Sequence, residues 1–195
     1  VLQYLKYTDD FNFVQTELWE TLKSMIEHHV QGTLYGIHMD EDGLIAHGPR
    51  LTWMDAAINS QPITPRQGKA VEIQALWYNA LKIMELLATR FDEKAKASKY
   101  SSMAETARKS FAYEFWNPQK NCLFDVMDDV HKDASLRPNQ IVAAALDFQI
   151  LDRTKSEKVI ETVQRSLWGV YGLRTLSEDD SRYVGRYMGD RVHRD

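Results

Sequence analysis

The alternation between one-sided and two-sided amphipathic helices is the feature that most constrains the fold. Single apolar stripes run along residues Asp9 to Gln31, Glu93 to Trp116 and from Thr154 onward. The segments Gln67 to Phe91 and Arg137 to Ile150 are apolar on two sides or nearly all round. A helix with one apolar stripe lies at the surface, whereas a helix that is apolar on two sides is buried on both. The order outer, inner, outer, inner, outer therefore predicts two concentric layers of helices.

The lengths of the connections favour a helical barrel over a solenoid. The two outer-to-inner connections are long, Gly32 to Arg66 and Asn117 to Arg137, whereas the inner-to-outer turns near Asp92 and Asp152 are tight. A solenoid of helical pairs would have short and similar connections. We therefore predict an all-α fold with small β-hairpins in the long loops, the first turning at Asp42-Gly43. Functional residues are expected in these loops, at one end of the barrel.

Composition and charge exclude several classes of function. The chain has 195 residues, enough for one domain with a sizeable core. Its net charge is −4, with both signs mixed and no basic stripe, so no nucleic-acid partner is expected. No apolar run approaches the length of a membrane span and the N-terminus lacks a signal pattern, so no membrane association is expected. The single cysteine, Cys122, favours a reducing compartment, and we expect a cytoplasmic protein.

Metal and phosphate chemistry lack their usual motifs. His28-His29 does not have the spacing of a zinc site, and Asp40 to Gly43 is not followed by the later ligands of a calcium loop. There is no glycine-rich phosphate loop and no nucleophile elbow. The sequence therefore predicts neither a metal nor a cofactor.

The loop from Leu51 to Ala56, LTWMDA, places Asp55 beside Trp53. A carboxyl group can move protons on or off a glycosidic oxygen, and an indole ring can stack on the apolar face of a sugar. Asp55 could instead cap a short helix that begins at Ala56. From these residues alone, capping is the commoner role for such an aspartate.

Several segments together resemble the amylo-α-1,6-glucosidase catalytic domain of glycogen debranching enzymes. The resemblance runs over nearly the whole chain in the right order and spacing. It is carried by Leu51 to Ala56 (LTWMDA), Thr64 to Leu81 (TPRQGKAVEIQALWYNAL), Arg137 to Ile141 (RPNQI) and Gly172 to Ser177 (GLRTLS), with Tyr4 to Thr8 and Gly36 to Gly48 also similar. The resemblance implies that residues 1–195 are a partial catalytic domain, part of an (α/α)6 toroid truncated at both ends. It also implies hydrolysis of α-1,6-linked glucose with inversion.

The resemblance assigns roles to individual residues. It implies that Asp55 is the catalytic acid and that the general base lies beyond Asp195, so that this segment alone is expected to be inactive. The implied substrates are glycogen, limit dextrin and malto-oligosaccharides. Sugar contacts are predicted at residues of the motif loops and helix starts: Trp53, Arg66, Gln67, Glu72, Arg137, Asn139 and Gln140.

Structural roles compete with some of these assignments. In the first turn of a helix, the charge of Glu72 favours the helix dipole. Arg137, Asn139 and Gln140 could simply satisfy backbone groups of the loop and helix start. For the chain as a whole, two alternatives stay open: a related glycosidase with another linkage preference, and a non-catalytic helical module that binds glycans or a protein.

Overall fold

The computed structural model describes residues 1–186, 188 and 189, and seven α-helices contribute most of the regular structure in that part of the chain. A π-helical stretch, Val14–Leu18, joins the second helix to the third without a break. The helices are α1 (Leu2–Thr8), α2 (Phe11–Phe13), α3 (Trp19–Gln31), α4 (Val71–Arg90), α5 (Lys94–Glu114), α6 (Ile141–Ala145) and α7 (Arg153–Leu167).

Short strands occupy the connections between the helices. Within the described residues there are eleven strands of two residues each: β1 (His38–Met39), β2 (Ile45–Ala46), β3 (Ala57–Ile58), β4 (Gln61–Pro62), β5 (Lys69–Ala70), β6 (Trp116–Asn117), β7 (Cys122–Leu123), β8 (Val126–Met127), β9 (Lys132–Asp133), β10 (Trp168–Gly169) and β11 (Gly172–Leu173). Four sheets are simple hairpins, β1–β2, β3–β4, β6–β7 and β10–β11. The fifth has the order β5–β8–β9 and joins the two long connections.

The predicted all-α fold, part of an (α/α)6 toroid, is therefore wrong: the described chain combines helices with several small antiparallel sheets. A strand of two residues is too short to show the alternation of apolar and polar residues by which strands are recognised. The β5–β8 pairing is also remote in sequence, with Lys69 opposite Met127 and Ala70 opposite Val126. Only the hairpin β1–β2, which turns at Asp42-Gly43, follows from local sequence.

Three of the predicted helical segments are present with somewhat shorter bounds. The N-terminal segment begins where the Asp10 side chain accepts a hydrogen bond from the N–H of Phe13, and it ends at Gly32, which has φ +100°. Helix α4 begins at Val71 rather than Gln67, because Lys69 and Ala70 pair in the sheet.

The last two helices depart further from the prediction. The segment predicted as an inner helix to Ile150 contains only a 3-10 turn, Pro138–Gln140, and the five-residue α6. Helix α7 begins at Arg153 and is capped by Asp152, whose side chain accepts a hydrogen bond from the N–H of Lys155.

Helix α4 is the centre of the core. It packs against α5 along most of its length and also contacts α3 and α6. Its buried positions lie on more than one side, as the sequence predicted for this helix, and include Ala75, Leu81 and Leu87, each with no exposed surface. Gln74, also fully buried, accepts a hydrogen bond from the N–H of Ile45 and donates one to its carbonyl oxygen, both at 2.8 Å. This side chain therefore fixes the β1–β2 hairpin to the core.

Gly68 lies directly against the second long connection, at strand β8. Its backbone exchanges two hydrogen bonds of 2.9 Å with His47. Its φ is +94°, and a Cβ at this position would lie 2.3 Å from the carbonyl oxygen of Met127. Only glycine therefore fits between the loop that precedes α4 and strand β8.

We expect the substitution Gly68→Ala to lower the free energy of unfolding by about 3 kcal/mol or more, because it combines an unfavourable φ with a backbone overlap. Gly36→Ala is the matched control, since Gly36 has φ +74° and nothing within 4 Å of the added Cβ. It should cost about 1 kcal/mol. Urea denaturation of both variants tests this, and equal losses would show that the close approach at Gly68 does not matter.

Candidate active site

A buried arginine, Arg66, joins the motif segments. Its side chain is 1% exposed. Both of its Nη atoms donate to the carboxylate of Glu72, with 2.6 Å between Nη2 and Oε2, and Nε donates to Oδ2 of Asp125 at 2.7 Å. Asn139 donates to the other oxygen of Asp125 through Nδ2, at 2.7 Å. We refer to Arg66, Glu72, Asp125 and Asn139 as the buried arginine cluster.

The local folds explain why these four side chains meet. Glu72 is in the first turn of α4, directly after β5. Asp125 lies between β7 and β8, where its carbonyl oxygen accepts a hydrogen bond from Val71 and its N–H donates to Asp133. Pairing of β5 with β8 therefore carries Asp125 to the start of α4. Asn139 is in the 3-10 turn Pro138–Gln140, and both this turn and the following helix α6 contact α4.

Opposite charges balance each other inside the cluster. Burial by itself would lower the pKa of Arg66, but hydrogen bonds and charges from Glu72 and Asp125 raise this pKa above its ordinary value. Burial raises the pKa of Asp125, while the Arg66 charge and the Asn139 amide oppose that shift. A second guanidinium, that of Arg137, has its Nε 3.9 Å from Oδ2 of Asp125. Two arginines thus face two carboxylates, which limits the cost of placing charges in the interior.

The LTWMDA loop is fastened to this cluster at two points. The indole Nε1 of Trp53 donates to Oδ1 of Asn139 at 2.8 Å, and Thr52 Oγ1 accepts a hydrogen bond from Arg66 at 3.2 Å. The Trp53 side chain is nevertheless 59% exposed. One edge of the indole is therefore anchored while much of the ring is open to solvent.

Asp55 follows two residues later and is exposed. No helix begins at Ala56, because Ala57–Ile58 forms strand β3, so the alternative that Asp55 caps a helix is wrong. Asp55 does not line the cavity described next. The catalytic role of Asp55 stays a prediction.

A cavity of about 490 Å³ lies beside the cluster. Three of the motif segments meet there, and Arg137 spans two of them, since its Nη1 donates to the carbonyl oxygen of Thr175 at 3.3 Å. The cavity has the size and mixed lining of a small-molecule site. Its lining residues are Ile63, Thr64, Pro65, Asp133, Arg137, Thr175, Leu176, Arg182, Tyr183 and Val184.

The remaining predicted sugar contacts fall into different environments. Gln67 is exposed, whereas Gln140 is buried. Gln140 accepts a hydrogen bond from the N–H of Leu123 and donates to the carbonyl oxygen of Arg137, both at 3.1 Å. Glu72 and Asn139 are buried with the partners given above. Contact of these residues with sugar stays a prediction.

Asp125 is the residue of this site that sequence reasoning missed. It lies outside the motif segments that carry the family resemblance. A carboxylate within an otherwise apolar run is the available signal, because a buried aspartate requires a cationic or hydrogen-bonding partner. That signal does not say which partner. Nor do the described residues contain a group of three or more His, Cys, Asp or Glu side chains that could hold a metal ion.

The family model described as amylo-alpha-1,6-glucosidase matches residues 1–195. The chain belongs to this family. The resemblance inferred from the LTWMDA, TPRQG, RPNQI and GLRTLS segments is thereby confirmed, and the family carries the name of a glycosidase. No helix in the described part of the chain is long and apolar enough to span a membrane.

Two examples represent the solved structures with a similar fold. One is a GH78 family rhamnosidase of Bacillus sp. GL1, with a TM-score of 0.63 and 17% sequence identity over 83% of this chain. The other is described as a sialidase, with a TM-score of 0.75 and 16% identity over 93% of this chain. The chain spans 16% of the length of each of these proteins. At such identities the likeness concerns the fold alone.

We expect Arg66→Met to lower the free energy of unfolding at neutral pH by about 3–5 kcal/mol, because two buried carboxylates lose their cation. Without Arg66, the pKa of Asp125, which burial already raises, rises further in the folded state. The loss in the free energy of unfolding should then shrink as the pH falls toward about 4, because a buried carboxyl group that is protonated carries no charge and no longer needs the cation.

Chemical denaturation at several pH values measures both effects. Arg153→Met is the control, since Arg153 pairs with Glu157 on the surface and should leave the unfolding free energy unchanged at every pH. A deficit in Arg66→Met that does not depend on pH would contradict the electrostatic explanation.

Proposed function

We propose that the protein carrying this sequence removes α-1,6-linked glucose from branched α-glucans such as limit dextrin or glycogen, with inversion at the anomeric carbon. The observation that carries the proposal is the LTWMDA loop of a chain in this family: it presents an exposed carboxyl group two residues after an anchored, half-exposed indole. This pairing suits a sugar ring, which an aromatic face can support while an acid reaches the glycosidic oxygen.

In this proposal Asp55 protonates the leaving oxygen and Trp53 stacks on the sugar. Arg137, which lines the adjacent cavity, and Gln67, which is exposed, are the polar side chains best placed to contact sugar hydroxyls. Inversion requires a second carboxylate about 6.5–9.5 Å away that activates water. We propose that this base lies in a part of the protein outside residues 1–195, so that these residues alone do not hydrolyse the substrate.

A glycosidase of another linkage preference is the second candidate. It is supported by the similarity of fold to a rhamnosidase and a sialidase, whose names indicate different sugars. Release of sugar from α-1,6, α-1,4 and α-1,1 linked glucosides by the full-length protein distinguishes the two. A glycogen substrate would place the protein in the cytoplasm, and the free thiol of the buried Cys122 is compatible with that compartment.

We expect Asp55→Asn in the full-length protein to lower kcat for glucose release from limit dextrin by about a thousandfold, because an amide cannot donate the required proton. Asp129→Asn is the control: Asp129 is also exposed, lies in the β8–β9 turn and should keep normal turnover. Near-normal turnover in Asp55→Asn would remove Asp55 from the mechanism. Absence of glucose release by the unmodified protein would instead favour a binding module.

A further inference from the structure

The orientation of the Asn139 amide decides whether Trp53 is anchored. The indole N–H can only donate a hydrogen bond, whereas an asparagine amide can present either its oxygen or its NH₂ group. In the structure Oδ1 of Asn139 faces Trp53 Nε1 at 2.8 Å and Nδ2 faces Asp125 Oδ1 at 2.7 Å. If the amide turned over, its NH₂ would face the indole N–H and its oxygen would face a carboxylate. Both contacts would then be unfavourable.

Asp125 selects the observed orientation. Its ionised carboxylate accepts hydrogen bonds only, so the NH₂ group of Asn139 must point toward it. Its other oxygen accepts from Nε of Arg66 at 2.7 Å, which fixes the carboxylate in place. Asp125 and Asn139 are each 2% exposed, so water does not compete for these groups.

Hydrogen bonding therefore runs from Arg66 through Asp125 and Asn139 to the indole of Trp53. Without its anchor, a tryptophan that is 59% exposed would gain by turning its ring onto neighbouring apolar surface. With the anchor, the edge of the ring is held and its exposed part stays available.

We propose that Asp125 and Asn139 are positioning residues: through the polarity of their hydrogen bonds they hold the Trp53 ring open as a platform on which a sugar stacks. This inference rests on the proposed glucan substrate. Stacking on a fixed platform stabilises the bound substrate and the transition state alike, so losing it raises KM and leaves kcat nearly unchanged.

The substitution Asp125→Asn tests the polarity directly. Arg66 donates to Oδ2 through Nε at 2.7 Å and to Oδ1 through Nη2 at 3.2 Å, and Nη2 also has Glu72 as an acceptor at 2.6 Å. The new amide therefore keeps its oxygen toward Nε and places its NH₂ group toward Asn139. Asn139 then turns its own oxygen toward that NH₂ group and its NH₂ toward the indole, and the bond to Trp53 is lost. We expect KM for limit dextrin to rise about tenfold, which corresponds to about 1.4 kcal/mol, with kcat changed less than about twofold.

The double substitution Asp125→Asn with Asn139→Asp should restore the anchor. The new carboxylate at position 139 accepts from the amide at 125 with one oxygen and from Trp53 Nε1 with the other. The number of buried carboxylates is also the same as in the original protein. KM should return to within about twofold of the original value.

Asn79→Leu is the matched control for loss of a buried amide. Asn79 is 6% exposed, and its amide bonds the backbone of Ala75 and Phe148 rather than any member of the buried arginine cluster. This variant should be less stable yet keep the original KM.

Exchange of the Trp53 indole proton separates failure of this inference from failure of the proposed function. In ¹⁵N-tryptophan-labelled full-length protein, with the resonance assigned by Trp53→Phe, exchange should be slow in the original and the double variant and fast in Asp125→Asn. Fast exchange in the original protein, or an Asp125→Asn variant that is folded and keeps slow exchange, overturns the inference whether or not glucan is cleaved. Slow exchange combined with no cleavage of any glucan overturns only the proposed glucan substrate and leaves the hydrogen-bonded anchor of Trp53 in place.

If the double variant does not fold, a second set of variants tests whether Asn139 acts through Trp53. This set comprises Asn139→Leu, Trp53→Phe and the combination of the two. Each alone should raise KM about tenfold, and together they should raise it no further, because both remove the same bond. Additive effects on KM would show that Asn139 does not act through Trp53.

Discussion

The pairing of the Arg66 guanidinium with Glu72 and Asp125 connects segments that are far apart in the sequence. Arg66 belongs to the loop before α4, Glu72 to the first turn of that helix and Asp125 to the segment between β7 and β8. A buried charge is tolerated only when its partners are in place, so this interaction requires all three segments to adopt their observed arrangement at once. The hydrogen bonds to Thr52 and Asn139 then extend the same requirement to the LTWMDA loop and to the turn before α6.

The long helices could be predicted from the sequence because many residues repeat one period. Helix α4 has twenty residues, and its two apolar stripes indicated that it is buried on more than one side. The strands could not be predicted, since two residues such as Lys69 and Ala70 carry no periodic signal. The apolar run after Gln140 suggested a long helix, although helix α6 contains only five residues, because an apolar run without a clear period does not show where a helix ends. These short elements are determined by contacts with distant parts of the chain.

The candidate site was predictable in its segments but not in its contacts. The resemblance to a family indicated which loops matter, and Arg137 and Thr175 from two of these segments do lie together. Which way a side chain points is a different question. Asn139 was predicted to contact sugar, yet its amide is engaged with Trp53 and Asp125, and Asp125 itself was not singled out. Composition and spacing carry little information on such pairings, because a buried polar group can be satisfied by many partners.

Strands β5 and β8 pair with each other, and the helical hairpin α4–α5 lies between them in the sequence. This arrangement has a consequence for the order of folding. Adjacent helices bring together residues that are near in sequence, whereas the sheet must close a long loop and pay the corresponding entropy. The hairpin is therefore expected to form early and the arginine cluster late. Local opening of the sheet would release Asp125 from Arg66 while the helices persist. Faster amide exchange in β8 than in the middle of α4 would reveal this hierarchy of stability.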